Sequence, residues 1–251
     1  MGDSRPGQDA RVARDADPSD PGDAVPQVRA GEQVAAGRGG ALGSDDYSAD
    51  YYRMSRPEAG AKGLVDRVRD AYIRRLIVRR VPGGRLLDVG CGLGLFLERM
   101  AGDFELYGID ISEYGVAAAA ARLPAARLAV GSLTDGVPFD VTFDVVTAIN
   151  IVEHLDDPGA ALDVVRARLR RGGLFVAHLP TIGNRVQARL YAGSYAQDPT
   201  HIYRPSGAEF CRLAERHGFV TSTSSYAPFV GAPLWRRVPW HPAFLAVFRA
   251  A

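Results

Sequence analysis

The stretch Leu86-Leu87-Asp88-Val89-Gly90-Cys91-Gly92-Leu93-Gly94 constrains the fold more than any other part of the chain. The run Arg85 to Val89 reads as a buried strand. Three glycines at alternate positions end it, and a helical pattern (Leu93, Phe96, Leu97, Met100) follows at once. A strand, a glycine turn and a helix in this order bring backbone close to a ligand, because glycine has no Cβ to obstruct the approach. Asp88 closes the strand and sets a carboxylate at that mouth. The spacing narrows the ligand. A dinucleotide fingerprint carries its third glycine one place further on, where this chain has Leu95. A carboxylate before the first glycine repels a pyrophosphate and suits a cation. A Walker loop needs Gly-Lys-Ser/Thr, and no lysine lies near.

Strand and helix signals then alternate. Strands are expected at 105–110, 127–130, 143–150, 174–179 and 219–226, and 241–249 is a seventh, antiparallel to the sixth. Ser112, Asp157-Pro158 and Gly218 mark helix ends between them, and Gly172-Gly173 is expected to end the helix that starts at Asp157. Helices are expected from Ser112 to Ala121, from Asp157 to about Arg170 and from Pro205 to His217. This pattern predicts an α/β fold, Rossmann-like and doubly wound, with a mostly parallel seven-stranded sheet, an antiparallel last strand and an N-terminal helical cap. The cap helix is expected from Lys62 to Arg80. Leu64, Val65, Val68, Tyr72, Ile73, Leu76 and Ile77 share one face, and Arg67, Arg69, Arg74, Arg75, Arg79 and Arg80 form a solvated basic face. Tyr47, Tyr51 and Tyr52 cluster just before it. Residues 1–45 hold too few large apolar side chains to offset their ordering entropy and read as a disordered leader. The expected domain is 46–251, with the cap over 46–84.

Bulk properties exclude several classes. A formal net charge of +1 demands neither nucleic acid nor an anionic membrane as partner. The two cysteines, Cys91 and Cys211, form no paired motif and read as free thiols of a reducing compartment; no metal is expected. The polar N-terminus has no signal-peptide core, and no apolar run is long enough to span a bilayer, so a cytoplasmic location without membrane insertion is expected.

With these residues in hand, the chain resembles the class I S-adenosylmethionine-dependent methyltransferases, over roughly 47–251. By that resemblance the loop Gly90-Cys91-Gly92-Leu93-Gly94, with Asp88 behind it, lies against the methionine end of S-adenosylmethionine. Asp110, ending the second strand, is placed to accept the ribose hydroxyls; the competing reading is a charge favoured at a helix N-terminus. Ile111 would pack on the adenine. Ser132 and Leu133 stand where the family contacts the adenine amine, although Ser132 departs from its commoner Asp and also reads as a plain turn. Asn150-Ile151-Val152-Glu153-His154-Leu155 resembles the fourth motif of small-molecule methyltransferases similar to those of ubiquinone biosynthesis, with Asn150 and Ile151 on the cofactor side. The chain lacks the Asn/Asp-Pro-Pro-Tyr tetrapeptide of enzymes that methylate DNA amines or glutamine side chains, so nucleic acid is not expected.

A methyl on a sulfonium is already activated, so alignment supplies most of the rate, but a hydroxyl acceptor also needs its proton removed. His154 is the first candidate base, against a capping or cofactor-contacting role. His201 is the second. It lies in Gln197-Asp198-Pro199-Thr200-His201, where Asp198 is placed to orient it, against a loop fastened by side-chain bonds. Acceptor-binding parts are expected at 47–52, 181–195 and 228–240, whose aromatics include Trp235 and Trp240. The expected activity is methylation of a small-molecule hydroxyl. The alternatives are a C- or N-methyltransferase acting on a lipid, glycan or natural product, a non-catalytic binding protein of the same fold, and a nicotinamide oxidoreductase, which Leu95 disfavours. The acceptor's identity and the oligomeric state are not encoded in these motifs.

Overall fold

The computed structural model describes residues 63–251. The expected leader, the boundary at 46, the tyrosine cluster and the helix start at Lys62 lie outside the described residues. The elements run α1 (Leu64–Val78), β1 (Arg85–Val89), α2 (Leu95–Met100), β2 (Glu105–Asp110), α3 (Glu113–Arg122), β3 (Arg127–Val130), β4 (Phe143–Ile149), α4 (Pro158–Arg168), β5 (Leu169–Pro180), α5 (Arg185–Ser194), α6 (Gly207–Arg216), β6 (Phe219–Tyr226) and β7 (Ala243–Ala250).

The strands form one sheet in the order β3-β2-β1-β4-β5-β7-β6. β1 to β5 pair in parallel, and β7 lies antiparallel between β5 and β6. Alternation along each strand fills both faces. Leu87 and Val89 of β1 join one apolar cluster with Ala161, Leu162, Val165, Phe210 and Ala214 of α4 and α6. Leu86 joins the other, with Ile73 and Ile77 of α1 and Phe96, Leu97 and Met100 of α2. Each Val, Leu, Ile, Phe or Met among them contributes about 1.5–3 kcal/mol on burial, which is what holds helices on both faces. Strand order reverses between β1 and β4, and in such sheets the crevice beyond the carboxyl ends at that point is where ligands bind.

Helix starts follow the expected chemistry. Ser112 accepts from the Gly115 N–H, Asp157 accepts from Ala160 ahead of Pro158, and Ser206 with Glu209 makes a reciprocal capping box. Four expectations are corrected. The apolar face of α1 holds only in its second half: Leu64, Val65 and Val68 are 76%, 56% and 42% exposed. Arg69 leaves the expected basic face for the interior, because Asp66 at 2.8 Å and Asp70 at 2.9 Å neutralise it. Gly172-Gly173 do not end α4. The helix stops at Arg168, Leu169 already pairs with Phe143, and Arg170 to Gly173 bulge opposite Asp144 before pairing resumes at Leu174. Finally, α5 occupies a stretch read as acceptor loop. Its start was signalled: Asn184 accepts from the Gln187 N–H, and the Gln187 side chain accepts from the Gly183 N–H. Among the described residues no helix is long and apolar enough to cross a membrane.

Candidate active site

The glycine loop turns its N–H groups inward. Gly90 and Cys91 both donate to the Ile109 carbonyl, at 2.8 and 3.0 Å, and Gly92 donates to Asp110 Oδ2 at 2.7 Å. Asp110 Oδ1 accepts from the Ser112 N–H at 2.9 Å. The loop therefore spends donors that a pyrophosphate would require, in keeping with a cationic ligand. Burial raises the Asp110 carboxyl, and the bonds from Ser112 and Gly92 oppose that rise. Asp88 is buried and accepts from the Thr147 hydroxyl of β4 at 2.6 Å. The Cys91 thiol packs over Gly108; burial, then Asp88 and Asp110, push it far above the usual thiol range, so the residue offers backbone rather than a thiolate.

Gly90 has φ +69°, and a Cβ there would fall 1.9 Å from Ile151 Cδ1. Its missing side chain lets the β4 loop close over the β1 loop. Asn150 begins that loop at φ 57°, the left-handed region, held by its N–H on the His178 carbonyl at 2.8 Å and its Oδ1 on His178 Nδ1 at 2.6 Å. Ser132 caps the short 3₁₀ turn Leu133–Asp135, and the Leu133 side chain is buried in the core, so this pair offers backbone and one hydroxyl. Ile111 follows β2, half-buried.

A second 3₁₀ turn, Val152–His154, follows β4. The Glu153 carbonyl accepts from the N–H groups of Ile202 and Tyr203, both at 3.0 Å, which fastens the loop after α5 onto this turn. That clasp brings the two candidate histidines together: the rings of His154 and His201 lie 4.8 Å apart, edge to face. Burial is the largest influence on both and lowers them below the ordinary imidazole value, which favours the neutral ring. Tyr191 of α5 reaches His201 Nδ1 at 3.1 Å. Asp198 stands 3.7 Å from His201 Nε2, yet its hydrogen bonds run to Thr200. Glu153, His154 and His201 offer donor atoms within 4.8 Å of one another, a spacing one divalent cation can span.

Sequence reasoning did not single out Tyr191, Thr200, His178 or Arg69. His178 sits in an apolar strand run that reads as plain core; its Nε2 is buried with no hydrogen-bond partner among the described residues, and burial holds it well below the ordinary value.

Among the described residues neither carboxyl oxygen of Glu153 has a hydrogen-bond partner, and the side chain is fully buried; burial raises its pKa from 4.5 to about 8. Between those two values the folded chain keeps a proton that the unfolded chain has released. Stability from this group is therefore lost as pH rises through that window, at ~1.4 kcal/mol per unit, with no slope below or above it. Glu153→Gln cannot ionise. Denaturant melts from about pH 5 to about pH 8 are expected to show wild type losing on the order of a few kcal/mol more than the variant. Parallel pH profiles would contradict the buried neutral acid.

The fold and this site define a class I methyltransferase, and comparison with known proteins agrees. A model of the methyltransferase domain family matches residues 65–223, and the chain belongs to that family. It is an S-adenosylmethionine-dependent methyltransferase. The ubiquinone biosynthesis O-methyltransferase of Nitrobacter winogradskyi is 29% identical over 184 residues, covering 64% of this chain and 69% of the relative. That of Aeromonas salmonicida is 31% identical over 165 residues, covering 58% and 68%. Among solved structures, an S-adenosylmethionine-dependent methyltransferase from Clostridium acetobutylicum aligns with TM-score 0.61 at 11% identity, covering 82% of this chain and 98% of that one. Magnesium protoporphyrin IX methyltransferase from Synechocystis, solved with bound S-adenosylhomocysteine, aligns with TM-score 0.62 at 14% identity, covering 83% and 98%.

Proposed function

We propose that the chain methylates a hydroxyl oxygen of a small molecule, with His154 taking the hydroxyl proton. The observation that carries this reading is the edge-to-face pairing of His154, on the turn directly after β4, with His201, on the loop clasped to that turn, next to the point where Ile151 closes on Gly90. S-adenosylmethionine supplies an electrophilic methyl on sulfur. Asp88, Gly90, Cys91, Gly92 and Gly94 would hold its methionine end, Asp110 its ribose, and Ile111, Ser132, Leu133, Asn150 and Ile151 the nucleoside and its edge toward the acceptor. His154 accepts the acceptor's proton as the oxygen–methyl bond forms and the sulfur–methyl bond breaks, leaving S-adenosylhomocysteine and an imidazolium. The printed names of the two relatives, O-methyltransferases, support oxygen as the acceptor atom.

The test is a panel of acceptors assayed with methyl-labelled S-adenosylmethionine: a phenol, an aromatic amine and an enolisable diketone. Label on the phenol oxygen is expected. Label confined to nitrogen or carbon would overturn the reading. A second reading is favoured by the Glu153 oxygens, which have no hydrogen-bond partner among the described residues: Glu153, His154 and His201 would hold a divalent cation, which would polarise the hydroxyl instead. Dialysis against EDTA separates the two, since only the second predicts lost turnover that added Mg²⁺ or Zn²⁺ restores.

A further inference from the structure

We propose that Thr200 is a positioning residue of this site: its hydroxyl, anchored on Asp198, holds His154 as the Nδ1–H tautomer and so leaves Nε2 as the nitrogen that faces the acceptor. The inference rests on the reading of His154 as the base and adds how the base is prepared.

The argument is one of donors and acceptors. The Thr200 N–H donates to Asp198 Oδ1 at 2.9 Å, and the Thr200 hydroxyl donates to the same oxygen in a short bond. An ionised carboxylate only accepts, and a hydroxyl has one proton to give. The Thr200 N–H can only donate, so Asp198 Oδ1 is an acceptor, and the hydroxyl aimed at the same oxygen is its second donor. With its proton committed, Thr200 Oγ1 can only accept from His154 Nδ1, 2.7 Å away. The Thr200 carbonyl oxygen, 3.2 Å from the same nitrogen, also only accepts. Two acceptors thus face one ring nitrogen, and the proton belongs on Nδ1. In a neutral imidazole the tautomer is set by the hydrogen bonds its nitrogens make, and here both acceptors sit on Nδ1.

The backbone makes the array rigid. Asp198 to Thr200 is a side-chain-to-backbone turn. The loop beyond it is clasped to the Glu153 carbonyl by Ile202 and Tyr203, one residue before His154. Asp198, whose Oδ2 stands 3.7 Å from His201 Nε2, therefore also acts on His154 through Oδ1 and Thr200. Serine would preserve the hydroxyl, and valine would preserve the shape while removing it.

The test uses the full chain with labelled histidine nitrogens, in EDTA, and two-bond proton–nitrogen spectra, with His154 assigned from the signals missing in His154→Gln. Nδ1–H is expected in wild type and in Thr200→Ser, and a shift toward Nε2–H in Thr200→Val. Turnover of the phenol acceptor is expected to fall at least about tenfold in Thr200→Val, with KM and S-adenosylhomocysteine affinity within about twofold, and to recover in Thr200→Ser. Nε2–H in wild type would overturn the proposal, and this spectrum decides even where Thr200→Val does not fold. Unchanged Nδ1–H in a folded Thr200→Val would overturn it too. A shifted tautomer with unchanged turnover supports the role of Thr200 and defeats instead the reading of His154 as base.

Discussion

Gly92→Val is expected to abolish measurable binding of S-adenosylhomocysteine while the protein stays folded. Gly92 has φ 49°, left-handed backbone that a β-branched side chain strains to occupy. Such strain costs about 1–3 kcal/mol, below the roughly 5–15 kcal/mol by which a domain is stable. Fold loss is therefore not the expected outcome. Binding is different. The Gly92 N–H fixes Asp110, the proposed ribose acceptor, and an isopropyl group on the loop takes space proposed for the ligand. Wild type should gain about 2.7 kcal/mol of stability at a ligand concentration of ~100 Kd, and the variant nothing. NAD should stabilise neither. Gly102→Val is the control: its φ is +88°, and a Cβ there meets nothing within 4 Å. It carries similar strain away from the site and should bind as wild type does. Equal affinity in Gly92→Val would remove the loop from the cofactor site.

The second large effect is kinetic. His154→Ala should lower turnover of a hydroxyl acceptor by about 10²–10⁴-fold, the usual contribution of a general base, with S-adenosylhomocysteine affinity kept within about threefold. His201→Ala is expected to fall less. Its Nδ1 is engaged with Tyr191, and its ring packs against His154. Assay at saturating cofactor, with affinity measured by calorimetry, separates the two contributions. Near-native turnover in both variants would leave catalysis to alignment alone and turn attention to an acceptor that is already nucleophilic, such as an amine or an enolate carbon.

Most of the fold was legible because its signals are local. A glycine loop, a Ser112 or Asp157 cap and an apolar strand run are each written within a few residues. What was not legible depended on partners distant in sequence. The burial of Arg69 required Asp66 and Asp70 to be seen as its counter-ions within the fold. His154 and Thr200 meet across 46 positions through the path of a loop that no periodicity sets. Each residue was visible, but not their juxtaposition. The same limit applied to Asp198. Spacing in a motif suggested His201 as its neighbour, and Asp198 Oδ2 does stand 3.7 Å from His201 Nε2, but the bonds from Thr200 to Oδ1 were not legible. The helix α5 was a different kind of miss, since Asn184 and Gln187 carried a cap signal that the polar surroundings obscured.

The central claim, that His154 removes a proton from a hydroxyl acceptor, is tested most directly by removing the need for it. The measurement is the single-turnover rate of wild type and His154→Ala on two matched phenols, one un-ionised at the assay pH and one made acidic by a nitro group and already ionised there. The account predicts that His154→Ala loses about 10²-fold or more on the first phenol and stays within about threefold of wild type on the second. An equal loss on both phenols would contradict it, and would make His154 a residue of alignment rather than of proton transfer.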